Sequence, residues 1–222
     1  MRRIFNCGLA GLALLAAGCV VTPPPLRCVS TFALPQVTAN PPARIVVVPF
    51  DAPACTDGAG SLVTEAVALA AQDTFHVDVL MARAGDERLA AESSLWQRAR
   101  VDVSTLIDAR KEYLADAFLF GAVTQYKPYD PPLLGLKLRL LSAHTGEVLW
   151  AADGVFDARD RHVRAMALNY FRCSGLSEKL YGPELILVSP RQYSSFVAAE
   201  MFLPLKEEFC RLQAAATASA MK

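Results

Sequence analysis

Apolar positions in this chain fall into continuous runs, period-2 stretches and helical stripes, and their order predicts an α/β fold. Ile45-Val46-Val47-Val48 is continuous, β-branched and closed by Pro49, the pattern of a strand buried on both faces. Residues 51–60 are turn-rich, after which Leu62, Val63, Ala66, Val67, Leu69 and Ala70 recur at helical spacing as far as Phe75. A second strand follows over 77–81. Helical patterns cover 86–98 and 104–113, with Ser104 as the expected cap of the second and Asp108 near its first turn. A third strand starts at Ala117 and runs toward Tyr126. Residues 136–141 and 148–155 form a hairpin around Ala143-His144-Thr145-Gly146. In its first arm Leu136, Leu138 and Leu140 alternate with Lys137 and Arg139, which requires one dry and one wet face. Helices over 162–171 and 190–212 close the pattern, the last with Phe196, Val197, Met201 and Leu205 on one stripe. The order β-α-β-α-β-β-β-α-α predicts a mixed sheet flanked by helices, a single α/β domain over 44–213 with a flexible tail at 214–222.

The N-terminus follows a different logic. Arg2 and Arg3 precede an apolar stretch from Ile4 to Ala17, and Ala16, Ala17 and Gly18 are the small residues of a cleavage site, so 1–18 reads as an export signal. An uncleaved anchor is the alternative, but Asn6, the glycines and Pro23 to Pro25 leave it short of the roughly 20 apolar residues a spanning helix needs. Leu14-Leu15-Ala16-Ala17-Gly18-Cys19 resembles the lipobox of bacterial lipoproteins, with Ala16 where that family most often has Leu. The resemblance implies that Cys19 carries the lipid and becomes the first mature residue, and Val20 after it implies the outer membrane. Several acyl chains at one point make a stable anchor. Residues 19–43, with six prolines between Pro23 and Pro42, read as a tether. Fully extended, it would hold the domain on the order of 70 Å from the anchor. The alternative is that 32–37 lies along the domain surface.

Composition narrows the function. The hydrophobic share of 53% supports a core, and 22 Lys+Arg against 22 Asp+Glu, with no basic stretch, gives no phosphate-tracking surface, so no nucleic-acid partner is expected. His76, His144 and His162 have no HxxxH or HExxH spacing, and no metal is expected. The Gly58-Ala59-Gly60-Ser61 stretch lacks the Lys of a phosphate loop, and there is no GxSxG elbow, so neither catalytic residues nor a cofactor are assigned. Asp51 and Asp57 with Asp153, Asp157 and Asp160 could form a metal or acid–base cluster, but the last three follow a strand in a charged exit loop and read as solvated. A periplasmic hydrolase, the competing class, requires a nucleophile with a base in reach. Beyond Cys7 and Cys19, the even set Cys28, Cys55, Cys173 and Cys210 in an oxidising compartment predicts two disulfides. Of three pairings, Cys28 with Cys55 and Cys173 with Cys210 is favoured. Buried thiols are the alternative.

At domain level, RIVVVPF, ADAFLFGAVTQY and LKLRLLSAHTGEVLWAADGVFDA, in this order over about 44–171, resemble the envelope-lipoprotein superfamily. That superfamily includes the curli secretion channel CsgG, the penicillin-binding-protein activator LpoB, a flagellar ring protein and the TolB N-terminal domain. The resemblance implies a non-catalytic part of an envelope assembly on the periplasmic face of the outer membrane, with an envelope protein or further copies of the chain as partner. A curli-type pore subunit is the less favoured version, because each pore hairpin needs alternating segments of about ten residues and none is spare. The loop Tyr126-Lys127-Pro128-Tyr129-Asp130-Pro131-Pro132 combines aromatic rings with prolines, and Tyr126 and Tyr129 are the candidate partner-binding residues.

Overall fold

The computed structural model describes residues 28–50, 58–83, 86, 88–89, 102–174 and 182–220. Among these, β1 (Val29–Ala33), β2 (Arg44–Val47), β3 (Asp78–Met81), β4 (Ala117–Lys127), β5 (Leu133–Ser142) and β6 (Val148–Asp157) form one sheet in the order β1-β6-β5-β4-β2-β3. The helices are α1 (Pro35–Ala39), α2 (Ala59–Phe75), α3 (Val103–Tyr113), α4 (Arg161–Cys173), α5 (Leu185–Val188) and α6 (Pro190–Ala220). The sheet is mixed. β2 runs parallel to β3 and β4, whereas β4, β5, β6 and β1 are successively antiparallel.

The continuous run at β2 is continuous because both faces are covered. Ile45 and Val47 join the core under α2, α4 and α6, while Val46 and Val48 join a second core with Leu106 and Ala109 of α3. β4 divides in the same way, Leu119 facing the first core and Phe118 and Phe120 the second. In the first core Trp150, fully buried, stacks on Phe202 of α6 with ring centroids 4.7 Å apart. The β5 alternation is realised: Leu136, Leu138 and Leu140 are buried, and Lys137 is exposed. Gly121 sits in mid-strand because a Cβ there would meet the Phe50 ring at 2.4 Å. Gly146 closes the β5–β6 turn at φ +71°, a backbone region that glycine occupies without steric cost.

The domain starts earlier than Arg44, where the sequence places it. Val29–Ala33 pairs along β6 from Val29 opposite Gly154 to Ala33 opposite Trp150, and α1 buries Val37. A five-residue edge strand whose last four residues are exposed has no dry face, so it carries no alternation to read. At the other end α6 continues to Ala220, through residues assigned to a tail, on an alanine-rich segment of high helix propensity. Ser104 does not cap α3. Asp102 does, its carboxylate accepting the Ser104 N–H at 3.0 Å, and Asp108 lies further along, paired with Lys111. Most of the helix expected over 86–98 lies outside the described residues.

Candidate functional site

The lipobox residues through Cys19, with Asp51, Cys55 and Asp57, lie outside the described residues. Cys28, Cys173 and Cys210 are free thiols, the last two exposed. Cys28 is half-buried where the chain meets β6; burial, and then the charges of Asp160 and Glu200, push its thiol pKa up. No bond joins Cys173 to Cys210. α4 meets α6 where the Tyr170 ring lies 5.8 Å from that of Phe196. Cys210 stands fourteen residues further along α6, about 21 Å at 1.5 Å per residue.

The histidines stand apart. His76 ends α2 at φ +54°. His144 lies in the hairpin turn, with Nε2 3.8 Å from Asp116 Oδ1, and His162 is exposed in the first turn of α4. Asp116 is occupied structurally: its Oδ2 accepts the Ala43 and Arg44 N–H groups at 3.0 and 3.1 Å, fastening the start of β2 to the start of β4. Gly58 takes the left-handed conformation before α2, and the Ser61 hydroxyl donates to its carbonyl, so this turn serves as a helix start. Among the described residues no three His, Cys, Asp or Glu come together as a metal group.

Asp153 and Asp157, expected in an exit loop after the strand, lie within β6 itself, and only Asp160 follows it. Asp153 pairs with Lys137 at 3.2 Å across the strands, and Asp157 binds Arg159 at 2.6 Å, which holds its carboxyl pKa below the usual range. Asp160 caps α4, accepting the His162 N–H at 2.7 Å.

The two tyrosines of the β4–β5 loop part company. Tyr126 is half-buried and packs against the first core, and burial followed by the neighbouring Tyr129 pushes its hydroxyl pKa up. Tyr129 is 72% exposed. Only Tyr129 is free to act at the surface.

The surface beside β1 is only half signalled by the sequence. α3 and the second core cover the second face of the sheet over β2, β4 and the Leu141–Val148 end of the hairpin, but further along β5 and β6 and on β1 that face is open among the described residues. It presents Arg139, Lys137, Ala151, Asp153 and Phe32 around a groove of about 290 Å³, with Val155 exposed further along β6. Phe32 is 51% exposed. Lys137 and Arg139 already showed a wet face, but the apolar part depends on β1, which the pattern does not reveal. A second groove, of about 540 Å³, runs between β1–α1 and the far part of α6, walled by Leu34, Pro204, Leu205, Glu208 and Arg211.

The sequence matches no protein-family profile and no curated protein. Solved structures share parts of its backbone arrangement. A PelC dodecamer from Paraburkholderia phytofirmans is 16% identical over 77% of this chain and 96% of its own, at a TM-score of 0.44. Lipoprotein GNA1162 from Neisseria meningitidis is 16% identical over 61% and 100%, at 0.37. LpoB from E. coli is 13% identical over 70% and 82%, at 0.35. At these values what those proteins bind or assemble with stays with them.

Proposed function

We infer that this chain is a bacterial envelope lipoprotein, exported and acylated at Cys19, held on the periplasmic face of the outer membrane. There its domain works by protein contact, as an assembly, scaffold or regulatory factor of an envelope machine, and not by catalysis. The observation that carries the contact role is the open sheet face, where Phe32, 51% exposed, stands opposite Ala151 beside Lys137, Arg139 and Asp153. An exposed apolar patch rimmed by charge is the usual form of a protein-contact surface. The leader supports the location: Leu15 to Cys19 has the lipobox pattern, and no described helix is long and apolar enough to cross a membrane. Among the described residues, the Asp160 carboxylate caps α4, Asp157 holds Arg159 and Asp116 accepts backbone N–H groups.

The test places a photo-activated cross-linking residue at position 32 or, as a control, at the exposed Asp108 of α3, and identifies adducts in cells. The proposal expects specific adducts from position 32 and few from 108. Adducts of twice the chain mass assign the face to a second copy of this chain, and adducts to another protein identify a separate partner. No adduct at 32, or equal yields at both positions, contradicts the contact role.

A further inference from the structure

One end of the sheet gathers three features that the protein-contact role leaves unused. The first is the place where the chain enters. Val29 lies opposite Gly154, three residues before β6 ends at Asp157, so the chain enters the fold about 10 Å from that end. The β4–β5 loop closes the same end, because the Ala158 N–H donates to the Pro132 carbonyl at 2.9 Å.

The second feature is charge. Lys127, Arg159, Arg161 and Arg164 converge here against Asp130, Asp157 and Asp160. Asp157 is held by Arg159 and Asp130 by Arg164 at 3.6 Å, while Asp160 caps α4. Lys127 and Arg161 are exposed and make no salt bridge within 4.0 Å among the described residues, although the Lys127 charge still helps hold the Asp157 carboxyl down. The end is therefore left with cationic side chains facing outward. The third feature is Tyr129, 72% exposed at the tip of the loop.

Chain length brings these together, and this step rests on the acylation of Cys19. Cys28 stands next to the start of β1, and only residues 20–27 lie between it and the anchor. Nine Cα steps reach at most about 30 Å. The end from which the chain leaves is thus held within that distance of the bilayer. An amphipathic tyrosine ring suits the headgroup layer, and Lys and Arg are attracted to anionic lipid within a Debye length of the surface. We propose that this end, with Lys127, Tyr129, Arg159, Arg161 and Arg164, rests on the anionic phospholipid surface to which Cys19 is anchored and fixes the direction in which the domain faces. The strands then rise away from the membrane and the Phe32 face looks sideways, toward neighbours. Tyr129, a protein-docking candidate in the sequence, becomes a lipid-contacting residue.

The experiment uses the mature chain from position 19 with Cys19→Ser, so that no acyl chain contributes and the result does not depend on whether Cys19 is modified in cells. Flotation is measured with vesicles of phosphatidylethanolamine containing about 30% phosphatidylglycerol, and with phosphatidylcholine alone. The chain is expected to float with the first and not the second, and to be released at about 0.5 M salt. Lys127→Glu with Arg161→Glu should lower bound protein at least about fivefold, with the thermal melt read alongside because Lys127 also acts on the Asp157 carboxylate. Tyr129→Ala should lower it less, and Lys111→Glu on α3 not at all. If the double variant melts early, Arg161→Gln alone carries the same comparison. No flotation, flotation indifferent to lipid charge, or a double variant that floats like the parent overturns the proposal. Retention on polyglutamate resin without flotation overturns it in favour of an acidic protein partner.

Discussion

Glu200 sits half-buried on α6, and burial, reinforced by the like charge of Glu207 and opposed by His162, raises its carboxyl pKa. A carboxyl raised on folding binds its proton more tightly in the folded chain. Its contribution is therefore most favourable below the unfolded value and becomes a cost as pH rises through the folded value. Glu200→Gln is expected to raise the melting temperature at pH 8 and to leave it unchanged near about pH 4. Thermal melts at the two pH values decide it; an equal gain at both would place the effect in packing. Leu114 offers a second check. It caps α3 at φ +53° while 70% exposed, so it bears left-handed backbone strain with little burial to offset it. Leu114→Gly should stabilise by about 0.5–1 kcal/mol, measured by denaturant unfolding, and a loss would mean that the leucine packs usefully. Among the thiols, Cys28 should react more slowly than Cys173 and Cys210 with an alkylating reagent at pH 8, since burial both hinders it and disfavours its thiolate. Residue-resolved mass spectrometry reads the order, and a fast Cys28 contradicts the burial.

At the scale of elements, legibility follows burial. β2 was readable because both of its faces are dry, and β5 because its faces differ; each condition leaves a period in the sequence. β1 leaves none. It joins by backbone pairing to β6 with most side chains in solvent, and a proline-rich neighbourhood then reads as tether. The caps were missed by a small displacement: Asp102 and Asp160 both bond the N–H two residues on, and the first lies just ahead of the serine that attracts attention. The candidate surface was half legible, its charges from β5 and its apolar part hidden with β1. These assignments predict opposite outcomes for two aromatic truncations. Trp150→Ala removes a fully buried ring stacked on Phe202 and should cost about 3–5 kcal/mol in denaturant unfolding. Phe32→Ala, at a half-exposed position, should cost within about 0.5 kcal/mol while reducing partner cross-linking. A large loss of stability in the second variant would make Phe32 a packing residue.

For the molecule as a whole, the early start of the fold changes the geometry of attachment. A tether over residues 19–43 allows a reach on the order of 70 Å, whereas β1 starting at Val29 leaves, for a chain anchored at Cys19, at most about 30 Å between Cys19 and Cys28. A partner that meets the Phe32 face must therefore come close to the membrane. All of this depends on the cysteine at position 19. The most direct measurement is the mass of the N-terminal peptide of the protein purified from its own membranes. Acylation at Cys19, with residues 1–18 removed, is the predicted result. An intact Met1, or a cleaved terminus without lipid, would contradict the account.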